Sequence, residues 1–274
     1  MKTQTLTASR HAWLTLGILS STLLTVFFSE TMLLPAIPEI IKDFKVPYGT
    51  AAWIFSAYLI VAAVMTPVAG RLSDLYGKKR VLLILLATYI VGIAAGGFAN
   101  NISFLLATRI IQGVGLAAVP AAFSLLRDTF PPEKLAIAIG VFGSAYSAGS
   151  VVGLLVGASI IEAFGWHATF LTIVPFAGLV TLLIARFVTE NKAQAKSMVS
   201  DHGARQKNAS PSIDIKGILA LSASIGSFLV GLTLIQIGVN AISLPRIMAA
   251  FLSSAISLAA FRTAGMVPPV FNAS

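Results

Sequence analysis

The sequence predicts an all-α, polytopic membrane bundle, and three observations carry that prediction. Hydrophobic residues make up 57% of the 274 residues and charged residues 11%, with a mean hydropathy of +0.89. A soluble domain carries about 25% charged residues, so this chain is built for lipid. Eight apolar runs of helix length alternate with short polar segments, and a chain in lipid must satisfy its backbone groups within such runs, as a helix does. Basic residues gather in alternate loops. Fifteen of the 19 Lys and Arg fall on one side, from Lys2 and Arg10 to Lys216 and Arg262, against Lys42, Lys45 and Arg246 on the other. That bias places the N-terminus in the cytoplasm of a multi-pass plasma-membrane protein, with the lipid bilayer as its surroundings.

The same distribution argues against nucleic acid as a partner, despite the formal charge of +9, because no single basic face results. There is no cysteine, which excludes disulfides and thiolate metal sites. His11, His167 and His202 are scattered over a head, a short loop and a linker. No metal site or cofactor follows from them, and the absence of a His or a paired carboxylate set within the spans argues against an enzyme.

Residues 13–34 form the first run. It follows a basic head, as a signal peptide would, but it is too long for one and more spans follow. Pro35 and Pro38 break or kink it. The further helices are expected at 51–69, 81–99, 103–126, 135–163 and 168–186, with an outer turn at Asn100-Asn101 and an interfacial aromatic, Trp166, in the turn at 164–167. Residues 188–214 are rich in Lys, Gln, Ser, Asn and Asp, a solvated linker without core-forming capacity. Two more helices follow at 217–239 and 247–261, then a tail with Pro268-Pro269. The organisation is therefore a six-helix unit over 1–187, a linker, and a hairpin with a truncated tail over 215–274.

Between the second and third runs stands Gly70-Arg71-Leu72-Ser73-Asp74-Leu75-Tyr76-Gly77-Lys78-Lys79-Arg80. Two glycines bracket a carboxylate, allowing backbone angles and close helix approach that a side chain forbids. This stretch resembles G-x-L-a-D-r-x-G-r-k, the loop between helices 2 and 3 of the major facilitator superfamily of transporters. The resemblance implies a conformational switch, in which Asp74 latches two six-helix halves in the outward-open state, with Arg71 and Lys78 as its ion partners.

Arg109 lies in an apolar run, where a charge costs at least ~2.5 kcal/mol without a partner or a wet cavity. It could face a central cavity or snorkel to the outer surface. The run Leu105 to Gly115, with Arg109, Gln112, Gly113 and Gly115, resembles the superfamily's second motif, l-x-x-x-R-x-x-q-G-x-g. That implies a cavity residue involved in proton coupling. Glu30 lies in the first run, either as a cavity carboxylate or at an outer helix end. Burial disfavours its charge while a nearby arginine favours it, the opposing pulls a proton-exchange site uses. Around it, Thr31, Ala36 and Pro38 match l-D-x-T-v-v-n-v-A-l-P of drug:proton antiporters, although Ser29 occupies the Asp position.

Ala145, Gly149, Gly153 and Gly157 recur at steps of four, one small-residue stripe for close helix packing. The segment also resembles the antiporter motif of helix 5, g-x-x-x-G-P-x-x-G-G, followed by G-W-R-x-x-F-x-x-n-v-P. Gly165, Trp166, Phe170, Val174 and Pro175 fit, while Gly153 replaces Pro and Val156 replaces Gly. In the second run Trp53, Tyr58 and Pro67 stand where this family has them, with Trp53 and Tyr58 open to either an aromatic-belt or a substrate-contact role.

Linker and hairpin together resemble the 14-span drug:proton antiporters of the EmrB/QacA type. The implied function is secondary active transport by alternating access, with protons driving efflux of small amphiphilic or cationic molecules. A metabolite carrier of the same superfamily and a non-transporting membrane partner are the alternatives. The chain is expected to hold the N-terminal half plus the hairpin, and to need a C-terminal half or self-association.

Overall fold

The computed structural model describes residues 2–189, 215–237 and 244–263. Ten α-helices account for nearly all of them, and no strand occurs among the described residues. Helix α1 (Lys2–Met32) passes through a 3-10 turn at Leu34–Ala36 into α2 (Ile37–Phe44), with Pro35 and Pro38 at the two junctions. Then come α3 (Tyr48–Tyr76), α4 (Lys78–Gly96), α5 (Ile102–Leu116), α6 (Ala118–Thr129), α7 (Pro132–Phe164) and α8 (His167–Phe187). The last two are α9 (Ile215–Ile237) and α10 (Leu244–Thr263). Seven segments are long and apolar enough to cross a bilayer, α5 and α6 counting as one. Helix α9 adds a shorter apolar stretch, Ala220–Ile235. The linker from residue 190, with His202, and the tail from residue 264 lie outside the described residues.

Two details differ from the sequence expectation. The helices outrun the apolar windows, because polar residues continue a helix once its middle is held in lipid. The fourth run is also interrupted at Ala117 rather than at Arg109. Pro120 has no N–H to offer the Leu116 carbonyl one turn back, and the helix divides there into α5 and α6.

Two apolar clusters stack along the bundle. One, toward the end bearing the basic loops, gathers Leu16 and Leu19 of α1, Leu82 and Leu85 of α4, Leu125 and Leu126 of α6 and Ile184 of α8. The other, toward the opposite end, gathers Met32, Ile40, Ile54, Ile93, Leu105 and Ile173. Phe27 and Val119 pack against both. Exposed apolar side chains such as Ile84, Val91, Leu155 and Leu182 face outward, which in lipid carries no penalty.

Helix α7 lies against α1 along the small-residue stripe. A Cβ on Gly149 would stand 2.5 Å from the Leu24 carbonyl oxygen, and one on Gly157 2.6 Å from that of Met32. A Cβ on Gly153 would strike Thr31 Oγ1 and the Phe28 carbonyl oxygen. The stripe is a backbone-to-backbone contact.

Helix α9 docks on the flank of α3. Ser222 donates its hydroxyl to the Val64 carbonyl oxygen at 3.2 Å, and Gly226 faces the Val64 side chain. Val64 lies three residues before Pro67, where the α3 ladder already lacks an N–H. Helices α9 and α10 are tied by Ser224 and Ser254, each donating to the other's carbonyl, at 3.1 and 2.9 Å.

At the end away from the basic loops, Trp166 is 1% exposed and donates its indole N–H to Asp43 Oδ2 at 2.8 Å. Phe44 meets its ring edge-on and His167 stacks on it at 3.6 Å. Trp166 does lie in the turn between two spans, and its ring packs inward rather than toward lipid. Asp43, 123 residues earlier on the amphipathic α2, gives the indole N–H a partner inside the protein.

Candidate functional site

Asn101 caps α5, its side chain accepting from the Phe104 N–H at 2.8 Å, and so fixes where the helix starts. Two turns on, Arg109 is 1% exposed. Its Nε donates to the Ile54 carbonyl oxygen at 2.9 Å and its Nη1 to Gln112 Oε1 at 2.6 Å. The guanidinium carbon sits 4.1 Å from the centre of the Tyr58 ring and 5.6 Å from that of Phe55. Arg109 does not snorkel. It turns across the bundle to α3, and its charge is solvated by a carbonyl, an amide and an aromatic face.

Glu30, half-buried in α1, lies close enough for its charge to act on Arg109, without forming an ion pair. The structure thus bonds Arg109 to Gln112 in one buried polar pair, with Glu30 half-buried on α1 within electrostatic reach of the arginine. Arg109 Nη2 is buried there without a hydrogen-bond partner, and the Tyr58 hydroxyl and Gln112 lie beside the hydroxyl of Tyr89. Tyr58 is 0% exposed, which rules out the aromatic-belt role. The sequence reading missed Tyr89 of α4, also fully buried and beside Ser29 and Gln112. A tyrosine in the middle of an apolar run was its only signal. Glu162, a second carboxylate within an apolar run, is exposed near the end of α7.

The charged loop is a tight corner. Gly77 adopts φ 93° and donates its N–H to the Ser73 carbonyl at 3.0 Å, closing α3 and opening α4 in a conformation that a side chain disfavours. Gly70 does not mediate a close approach; a Cβ there would meet nothing within 4 Å. Lys78 pairs with Asp128 at the end of α6, and Lys79 donates to the Ala185 carbonyl near the end of α8 at 2.8 Å. Asp74 is exposed, as are Arg80 and Tyr76, and Arg71 is partly buried. Lys78 thus has an ion partner the sequence did not suggest, Asp128.

Lipid-length helices crossing at a buried arginine, with a carboxylate nearby and a charged corner at one end, define a multi-pass membrane protein. The profile of the Major Facilitator Superfamily matches residues 19–273, and the chain belongs to that superfamily. Over 205 residues it is 33% identical to Multidrug resistance protein 3 of Bacillus subtilis (strain 168), covering 74% of this chain and 40% of that protein. Over 221 residues it is 30% identical to the Tetracenomycin C resistance and export protein of Streptomyces glaucescens, covering 80% of this chain and 39% of that protein. The fold resembles the human organic anion transporter MFSD10 (TETRAN), with TM-score 0.59, 17% identity and coverage of 94% of this chain and 73% of that one. The chain spans less than half the length of the two curated relatives.

Proposed function

We propose that this chain forms one wall of a proton-coupled exporter of drugs or other amphiphilic or cationic compounds, of the 14-span EmrB/QacA drug:proton antiporter type. The observation that carries this reading is the buried Arg109, bonded to Gln112 and Ile54 and held within electrostatic reach of Glu30. Such a pairing lets protonation of one carboxylate and binding of a cation exclude each other, since both act on the same buried charge. Resistance and export proteins among the relatives support the substrate class. Residues 1–187 serve as the six-helix unit, 188–214 as the linker and 215–274 as the hairpin. The N-terminus and the basic corner lie on the cytoplasmic side, as the distribution of Lys and Arg requires.

One six-helix unit supplies one wall of an alternating-access cavity, and a facing helical half, in the same polypeptide or another, completes it. Proteoliposomes test this directly. With a C-terminal half from a relative present, an inward proton gradient should drive efflux of a cationic dye; residues 1–274 alone should insert but move none. Dye efflux by residues 1–274 alone would contradict the shared-cavity reading, and efflux indifferent to the proton gradient would contradict the coupling.

The corner supplies a second expectation. Asp74 is exposed and remote from Arg109, so it acts on the switch between states rather than on the ligand. Asp74→Asn is expected to stop efflux in these liposomes while dye affinity in detergent stays within about threefold, under ~0.7 kcal/mol. A large loss of affinity would place Asp74 in the binding site instead.

A further inference from the structure

Arg109 is held by more than its hydrogen bonds. Ile54, whose carbonyl accepts from Nε, and Tyr58, whose ring lies under the guanidinium, are four residues apart on α3. They therefore stand on one face of one helical turn. That single turn offers the arginine an acceptor for its edge and a π-face for its plane. Gln112, one turn along α5, takes the second edge. A planar fork held on two edges and one face keeps little rotational freedom. Among the N–H groups left over, those on Nη2 are buried and without a partner.

The glycines beside Arg109 explain how the turn comes so close. A Cβ on Gly113 would lie 2.6 Å from the Tyr58 carbonyl oxygen, so α5 and α3 meet backbone to backbone there. A Cβ on Gly115 would run into Tyr89, 2.5 Å from its backbone N and Cα. Thus the two glycines seat tyrosines from two different helices around the Arg109–Gln112 pair. The spacing Arg-x-x-Gln-Gly-x-Gly reads as a seat for a pair of aromatic rings.

We propose that Tyr58 is a positioning residue for the proton-coupling arginine: the α3 turn Ile54–Tyr58 clamps the guanidinium so that its unused N–H groups, both of those on Nη2 among them, keep one fixed direction. This rests on the proton-coupled reading above and adds a residue to it. The ring face does the work and the hydroxyl is not needed. Tyr58→Phe therefore separates the clamp from any proton-relay role, and Tyr58→Leu removes the face while keeping an apolar side chain.

Two measurements test it. The first is a thermal-unfolding cycle on residues 1–274 in nanodiscs, combining Tyr58→Leu with Arg109→Gln. We expect Tyr58→Leu to lower the melting temperature clearly in the parent and by less than half as much once Arg109 is gone; strict additivity would overturn the clamp. The second is proton-driven dye efflux in the reconstituted liposomes. Tyr58→Leu should lose about tenfold in rate with dye affinity within about threefold, as expected for losing one desolvated cation–π contact, while Tyr58→Phe matches the parent. An equal loss in Tyr58→Phe would assign the role to the hydroxyl and sink the proposal. Should Tyr58→Leu fail to accumulate, Tyr58→Met carries the same comparison. If the parent moves no dye, the proton-coupled reading fails while the cycle still decides the clamp.

Discussion

Gly153→Val is expected to lower the stability of the fold sharply. Gly153 faces the backbone of α1 at Phe28 and the hydroxyl of Thr31, and backbone cannot rotate aside as a side-chain tip can. Its neighbours in the stripe, Gly149 and Gly157, meet the Leu24 and Met32 backbones in the same way, so the strain cannot be passed along the helix. Overpacking a contact of this kind costs ~3 kcal/mol, against a total stability of about 5–15 kcal/mol. The same helix provides the control. Gly143 is exposed and a Cβ there meets nothing within 4 Å. Gly143→Ala should be neutral or stabilising by about 0.5–1 kcal/mol, because alanine is the better helix former. Fluorescence-detected size exclusion and thermal unfolding of both variants in detergent make the comparison. A Gly153→Val chain as stable as Gly143→Ala would mean that α1 and α7 do not touch through their backbones.

Arg109→Lys should be nearly as damaging to activity as removal of the charge. The arginine donates from Nε to the Ile54 carbonyl and from Nη1 to Gln112 while its plane rests on Tyr58. A lysine ammonium is a compact point charge without a planar fork, and it cannot meet all three at once. A hydrogen bond to a charged group contributes ~1.5–3 kcal/mol, so at least that much stabilisation is lost. Proton-driven dye efflux should fall at least about tenfold, the rate equivalent of ~1.4 kcal/mol. The melting temperature should fall with it, and insertion should be unaffected. Efflux at the parental rate in Arg109→Lys would show that charge alone suffices and that the guanidinium's geometry is irrelevant.

How far such a site can be read without coordinates depends on the range of the forces that build it. Arg109 and Gln112 were legible because they lie one helical turn apart in one run, and a charge in an apolar run is conspicuous. The glycine stripe of α7 was legible for the same local reason, since a period of four is a property of one helix. Which backbone each glycine meets was not legible, because Leu24, Phe28 and Met32 belong to another helix. Trp166 illustrates the limit most clearly. A tryptophan at a span end reads as an interface anchor, and only the 123-residue closure to Asp43 turns it into a core residue. Tyr89 was silent for a related reason: its position is decided by the approach of Gly115 from α5. The break at Ala117, by contrast, was open to reading from Pro120, because a proline's effect on the carbonyl one turn back is purely local.

Among the described residues, helices α9 and α10 contribute none to either apolar cluster. They are joined to each other by reciprocal serine bonds, and they reach α3 through Ser222 and the small surface at Gly226. An attachment made chiefly to one helix of the six-helix unit has an evolutionary corollary. A lineage can gain or lose such a helix pair in one insertion or deletion, because no side chain of the six-helix core has to change to admit it. The number of spans is then a labile character, while the crossing of α3, α4 and α5 around Arg109 is one that drift cannot alter piecemeal.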